Sequence, residues 1–126
     1  MVKRPEYLRW IMSQSAYEKA EKHGLQVVLP TNHQLFIDID GEEAYAVFVK
    51  NYPQFCHWYE VTEKVETPSK SGLPKKHIYI TLKEKVTDNE RLVLQAFLGS
   101  DLVREFLGMM RINANDSHVT LFLEKK

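Results

Sequence analysis

The segment Gln34-Leu-Phe-Ile-Asp-Ile-Asp40 alternates without a break, and that alternation limits what the chain can become. Successive side chains of a strand point to opposite faces, so Leu35, Ile37 and Ile39 share one side. Phe36, Asp38 and Asp40 share the other. The aliphatic side must lie on a core. The acidic side holds two carboxylates roughly 7 Å apart, the repeat of the pleat. Their repulsion is tolerable at a solvated strand end leading into a turn at Gly41. It becomes favourable when a hard divalent cation lies between them.

The other segments can be placed around this strand. Tyr7, Trp10, Ile11, Tyr17 and Ala20 recur at helical spacing, and His23-Gly24 is a natural stop. Gln26 to Leu29 is a short apolar run closed by Pro30, a brief strand or an extended tail. Glu42 to Lys50 reads as a helix with Ala44, Val47 and Phe48 on one side, ended by Pro53 or shortly before it. His57 to Val65 has strand composition. The connection 66–76 carries two prolines, a glycine and three lysines, and His77-Ile-Tyr-Ile-Thr-Leu82 alternates cleanly as a third strand. Thr87-Asp-Asn-Glu90 is a capping box opening a helix to about Arg111. Gly99-Ser100-Asp101 interrupts that helix, and glycine there costs about 1 kcal/mol relative to alanine. A kink, or a restart capped by Ser100, is expected. His118 to Glu124 is the last strand.

From Leu35 onward the order is β-α-β-β-α-β. The order predicts an α+β fold with an RRM-like or ferredoxin-like core: a four-stranded antiparallel sheet with two helices on one face. The chain of 126 residues, 44% hydrophobic, suits one domain, with 1–33 as a helical extension and 34–126 as the core. In the usual strand order the first and third strands are central neighbours. Tyr59/Val61, Ile78/Ile80/Leu82 and Val119/Leu121/Leu123 then join Leu35, Ile37 and Ile39 beneath the helices. Asp38, Asp40 and His77 come together on the opposite face with Phe36, Trp58, Tyr79 and Phe122. Those aromatics form an open stacking surface unless the N-terminal helix covers them.

Composition narrows the partners. Lys plus Arg and Asp plus Glu are 17 each, so an anionic ligand must be met by a local cluster rather than a global field. The single cysteine, Cys56, excludes an internal disulfide and a thiolate-rich zinc site, and fits a reduced cytoplasmic compartment. The start, Met-Val-Lys-Arg-Pro-Glu, is charged and does not read as a signal peptide. No run approaches the eighteen or so apolar residues of a spanning helix, so no membrane partner is expected.

Two motifs, Phe36-Ile-Asp-Ile-Asp40 and Ser69-Lys-Ser-Gly-Leu-Pro-Lys-Lys-His77-Ile-Tyr-Ile80, resemble the archaeo-eukaryotic primase (primase-polymerase) superfamily. The whole chain is similar to small phage-type members, which implies the host cytoplasm as its location. The resemblance implies an RRM-like catalytic core and metal-dependent nucleotidyl transfer in DNA replication or repair. It implies Asp38 and Asp40 as the metal-binding acids, with Mg²⁺ or Mn²⁺, and His77 as the contact to the phosphates of an incoming nucleotide. Nucleotides and DNA or RNA would be the partners, with a replication or host protein as a further one. The chain departs from the family at Lys75, where a small residue is usual, and in lacking the larger N-terminal subdomain and zinc module.

The third acid is open among Glu124, Asp116 and Asp101. Glu124 is chosen because its parity puts it on the Asp38/Asp40 face. Lys70, Lys75 and Lys76 could hold a triphosphate beside His77, with backbone N–H groups at Ser71 and Gly72. The bland alternatives are a solvated lysine hairpin, a surface histidine and an ordinary exposed acid. A non-catalytic nucleic-acid-binding or host-protein-binding module of the same fold is the competing function, although no strand carries an RNP-type aromatic motif. In that reading Asp101, Arg104 and Glu105 could form a helix-surface cluster for a partner. A metal-dependent nuclease would use the same acidic pair.

Overall fold

The computed structural model describes residues 12–68 and 75–126. The elements run α1 (Ser13–His23), β1 (Leu25–Val28), β2 (Gln34–Asp40), α2 (Glu42–Trp58), β3 (Val61–Pro68), β4 (Lys75–Leu82), α3 (Asp88–Phe97), α4 (Leu102–Asn113) and β5 (Phe122–Lys125). The chain is thus a mixed α+β protein. β2, β4 and β3 form an antiparallel sheet with β4 in the middle, and β1 pairs with β5 in a separate two-stranded ribbon.

The aliphatic face of β2 behaves as its alternation requires. Leu35, Ile37 and Ile39 are buried with Ile78, Ile80 and Leu82 of β4 beneath Phe48 and Phe55 of α2, Leu94 of α3 and Leu98 at its C-cap. α2 carries its aromatics at helical spacing. Tyr45, Phe48, Tyr52, Phe55 and Tyr59 stack ring on ring along one face. That stripe also explains why the helix does not end at Pro53, which lies in its interior. Proline there costs about 3 kcal/mol, but stopping the helix would leave Phe55 outside the core. β3 accordingly begins at Val61 rather than His57. Trp58 closes α2 against Phe97 instead of lying on the sheet.

A four-stranded sheet does not form, because the free edge of β2 is already occupied. A bare edge strand exposes unpaired N–H and C=O groups. Here the Phe36 N–H donates to Gln95 Oε1 at 2.8 Å, and the Asp38 N–H donates to Ser100 Oγ at 3.0 Å. The Phe36 carbonyl accepts from Arg104 Nη1 at 2.7 Å, and the Asp38 carbonyl accepts from the Asp101 N–H at 2.8 Å. The Gln34 carbonyl accepts from Arg91 Nε at 2.8 Å. The junction of α3 and α4 thus stands in for the fourth strand. Glu105, only 6% exposed, organises it by accepting from Gln95, Ser100 and Arg104.

The break between α3 and α4 has a steric cause at Gly99. Its φ is +89°, and a Cβ there would lie 2.6 Å from the Ala44 carbonyl oxygen. The capping box of Thr87 and Glu90 opens α3 as read from the sequence. α4 is capped by Asp101, whose carboxylate accepts from the Val103 N–H, while Ser100 is spent on β2.

β5 lies across the second face of the sheet instead of extending it. Phe122 stacks on Phe36 and His77, and its ring also meets Tyr79 edge-on. The expected open aromatic surface is therefore covered: Phe36 is 2% and Phe122 3% exposed. Burying three aromatic rings against one another removes apolar area from water that an open face would leave wet. Of the residues assigned to the last strand's inner side, Val119 is buried against Gly108 on α4, while Leu121 and Leu123 line a cleft. α1 is held by Asp116, which accepts from the Ser13 N–H at 2.8 Å and the Ser13 hydroxyl at 2.5 Å. Among the described residues no helix is long and apolar enough to cross a membrane.

Candidate functional site

β2 pairs with β4 so that Asp38 faces His77 and Asp40 faces Lys75. Both pairs lie on the side away from the aliphatic core. They open into a cleft of about 500 Å³ between the sheet end, α1, α4 and β5. Such a volume falls within the range of small-molecule sites. Lys19 enters from α1, Asp101 from the N-cap of α4, and Arg104 and Arg111 from α4 itself. Acids and cations therefore share one concavity.

Asp38 sits deepest of the acidic pair. Burial pushes its carboxyl above the usual range, against the pull of Arg104 and His77, and the charges of Asp101 and Asp40 push the same way as burial. Asp40 is half exposed and pairs with Lys75 Nζ at 3.2 Å. That pair is accessible and is worth little to stability. It leaves both charges at the mouth of the cleft.

His77 is 6% exposed and clamped on three sides. Its ring stacks on Phe122 with 3.7 Å between centroids and 6° between planes. Nδ1 lies 2.6 Å from Glu124 Oε1, and Nε2 points toward Asp38 Oδ1 at 3.7 Å. The Tyr79 hydroxyl donates to the same Glu124 oxygen. Burial and that hydrogen bond hold the Tyr79 phenol well above its ordinary value. Arg104 lies over the Phe122 ring from another side, with 4.6 Å from its guanidinium carbon to the centroid. Its Nη2 has no hydrogen-bond partner among the described residues.

No protein-family model, no curated protein and no solved structure matches the chain. The site must be judged on its own geometry.

Of the residues singled out from the sequence, Asp38, Asp40, Lys75, His77 and Glu124 are brought together. Lys76 is not. It is adjacent to Lys75 and His77, so the pleat turns it to the helix side. There it lies 3.9 Å above the Tyr45 ring and 3.5 Å from Glu66. A register shift between Val61 and Glu63 puts Glu66 on that side of β3. Asp116 is occupied at the start of α1, which leaves Asp101 as the other acid at the cleft. Lys70, Ser71 and Gly72, like Tyr7, Trp10 and Ile11, lie outside the described residues.

Sequence reasoning missed Arg104 as a cleft residue, offering it with Asp101 and Glu105 only as an alternative helix-surface cluster for a partner. Arg104, Leu107 and Arg111 all line the cleft, and their spacing of three and four residues was the signal that one side of α4 faces it. Among the described residues no group of three or more His, Cys, Asp or Glu side chains is arranged to hold a metal ion. Asp38 and Asp40, both lining the cleft, could give a cation two carboxylates, with its other ligands left to phosphate oxygens and water, as Mg²⁺ commonly takes them. Glu124 has one oxygen committed to His77 and Tyr79.

Proposed function

We propose that the cleft binds a nucleotide by its phosphates together with Mg²⁺ or Mn²⁺. On this reading the protein is a metal-dependent nucleotidyltransferase of DNA replication or repair, a minimal phage-type primase-polymerase core. One observation carries the reading. The acidic pair Asp38/Asp40 and the basic groups Lys75, His77 and Arg104 line a single cleft of nucleotide-accommodating size. Phosphoryl transfer asks the protein mainly for positioning and for charge of both signs around the phosphorus. Asp38 and Asp40 would hold the cation, which when bound neutralises phosphate charge and aligns the attacking oxygen. Lys75 and Lys19 stand at the mouth, where the outer phosphates of a nucleotide would lie. The element order and the adjacency of β2 and β4 agree with an RRM-like core, whose fourth strand is here replaced by the α3–α4 junction.

Calorimetry with a nonhydrolysable nucleoside triphosphate and Mn²⁺ tests the reading. The Asp38→Asn/Asp40→Asn double variant is expected to weaken Mn²⁺-dependent binding at least tenfold, about 1.4 kcal/mol. Equal binding by the double variant and the wild type, or binding that survives chelation, would overturn it.

A role as a partner-binding module has separate support. α4 turns Leu102, Val103, Phe106 and Met109 to solvent and Arg104, Glu105 and Arg111 inward. The version that stacks bases on the sheet has lost its platform, since Phe36 and Phe122 are covered.

A further inference from the structure

We infer that Glu124 is the positioning residue of His77, fixing the neutral tautomer that carries its hydrogen on Nδ1 and turning Nε2 toward the cleft. The use of Nε2 rests on the phosphate-binding reading above; the tautomer stands on geometry alone. A carboxylate only accepts, so the 2.6 Å contact from Nδ1 to Glu124 Oε1 places the imidazole hydrogen on Nδ1. The Tyr79 hydroxyl donates to the same oxygen, which holds the carboxylate against swinging away. Phe122 and Glu124 are two residues apart on β5, so one short strand supplies both the ring that stacks His77 and the acceptor that orients it. On the other side, 3.7 Å from Nε2 to Asp38 Oδ1 is too long for a hydrogen bond. Nε2 is therefore aimed at the cleft without being consumed there.

The arrangement has the logic of any carboxylate–imidazole pair. The acid sets which nitrogen carries the hydrogen and stabilises the imidazolium once the other nitrogen takes a proton. It also separates the acids by task. Asp38 and Asp40 present carboxylates to the cleft, whereas Glu124 commits its Oε1 to both His77 and Tyr79.

Long-range ¹H–¹⁵N spectra of the imidazole nitrogens test this on the full chain at a pH where His77 is neutral. Its signals are identified by their loss in His77→Asn. The wild type is expected to show the Nδ1–H form. Glu124→Ala should shift His77 to the Nε2–H form that imidazole favours in water. Glu124→Gln, which keeps an accepting oxygen, should retain Nδ1–H. An Nε2–H wild type, or an unchanged tautomer in Glu124→Ala with native circular dichroism, would overturn the inference. Mn²⁺ titration without nucleotide supplies the second arm. Glu124→Gln is expected to keep wild-type Mn²⁺ affinity while Asp40→Asn loses it, and equal loss in both would make Glu124 a metal ligand after all. If the wild type binds no Mn²⁺, the nucleotidyltransferase reading fails and the tautomer spectra alone decide the role of Glu124.

Discussion

The two faces of the β2–β4–β3 sheet are built on different principles. The face under α2 and α3 is dry and mostly aliphatic, closed by a stripe of stacked rings on one helix. The opposite face is covered by segments distant in sequence, and its contacts are directional. Phe122 arrives from β5, Arg104 from α4, and Glu124 completes the hydrogen bonds of His77 and Tyr79. On the first face stability needs only apolar volume in the right place. On the second, most buried polar groups are matched to a particular partner, because an unpaired one costs more than a paired one contributes, and Arg104 Nη2 is an exception among the described residues. Such a face spends stability on arrangement, and the cleft opens beside it.

The largest effect is expected on the dry face. Phe48→Ala removes a ring buried between Tyr45 and Tyr52, and should cost about 3–5 kcal/mol in a denaturant titration. A cost below about 1 kcal/mol would mean that this face can collapse around the loss, and that the contrast with the other face is too sharp.

Next comes the substitute for the fourth strand. Glu105→Ala leaves Gln95, Ser100 and Arg104 without their shared acceptor, with Arg104 still held near Phe122. Breaking a buried ion pair from one side costs about 3 kcal/mol or somewhat more. Amide exchange should localise the damage. The Phe36 and Asp38 N–H groups, which donate to Gln95 and Ser100, are expected to lose protection, while those of β3 keep theirs. Uniform loss across the sheet would show that the α3–α4 junction is not a separate device.

The smallest effect belongs to the tie that holds α1. Asp116→Ala removes the acceptor for the Ser13 N–H and hydroxyl and should cost about 1–2 kcal/mol, the usual worth of a cap. This tie also predicts a pH signature. Burial pushes Asp116 up, but the hydrogen bonds from Ser13 and from the His118 N–H prevail and hold its folded value below 3.8. A group depressed on folding contributes stability above its unfolded value and loses it as pH falls through the folded one. Wild type should therefore lose more stability than Asp116→Ala between neutral pH and about pH 2, read as converging thermal midpoints. Midpoints that stay parallel would remove Asp116 from that role.

Local pattern carried much of this fold. The alternation of Leu35, Ile37 and Ile39 marked the buried side of β2, and Ile78, Ile80 and Leu82 did the same for β4. Thr87 and Glu90 announced the start of α3, and Gly24 at φ +67° ended α1 where His23-Gly24 suggested. The juxtaposition of Asp38 with His77 also followed from strand parity and order. These features are settled by neighbours two to four residues apart, through the pleat, the helical repeat and the caps.

What the tertiary structure alone decided has a common cause in competition between distant partners. Parity could put Glu124 on the acidic face, but which group it would bind depended on where β5 lay. β5 pairs with β1, because the edge of β2 is already filled by Gln95, Ser100, Asp101 and Arg104. That choice carries Phe122 over Phe36 and His77 and brings Glu124 to Nδ1. The amino-acid order determined the strands and the faces they would offer. Which segment covered each face was a question of whose hydrogen bonds and apolar area closed best, and only the assembled chain could answer it.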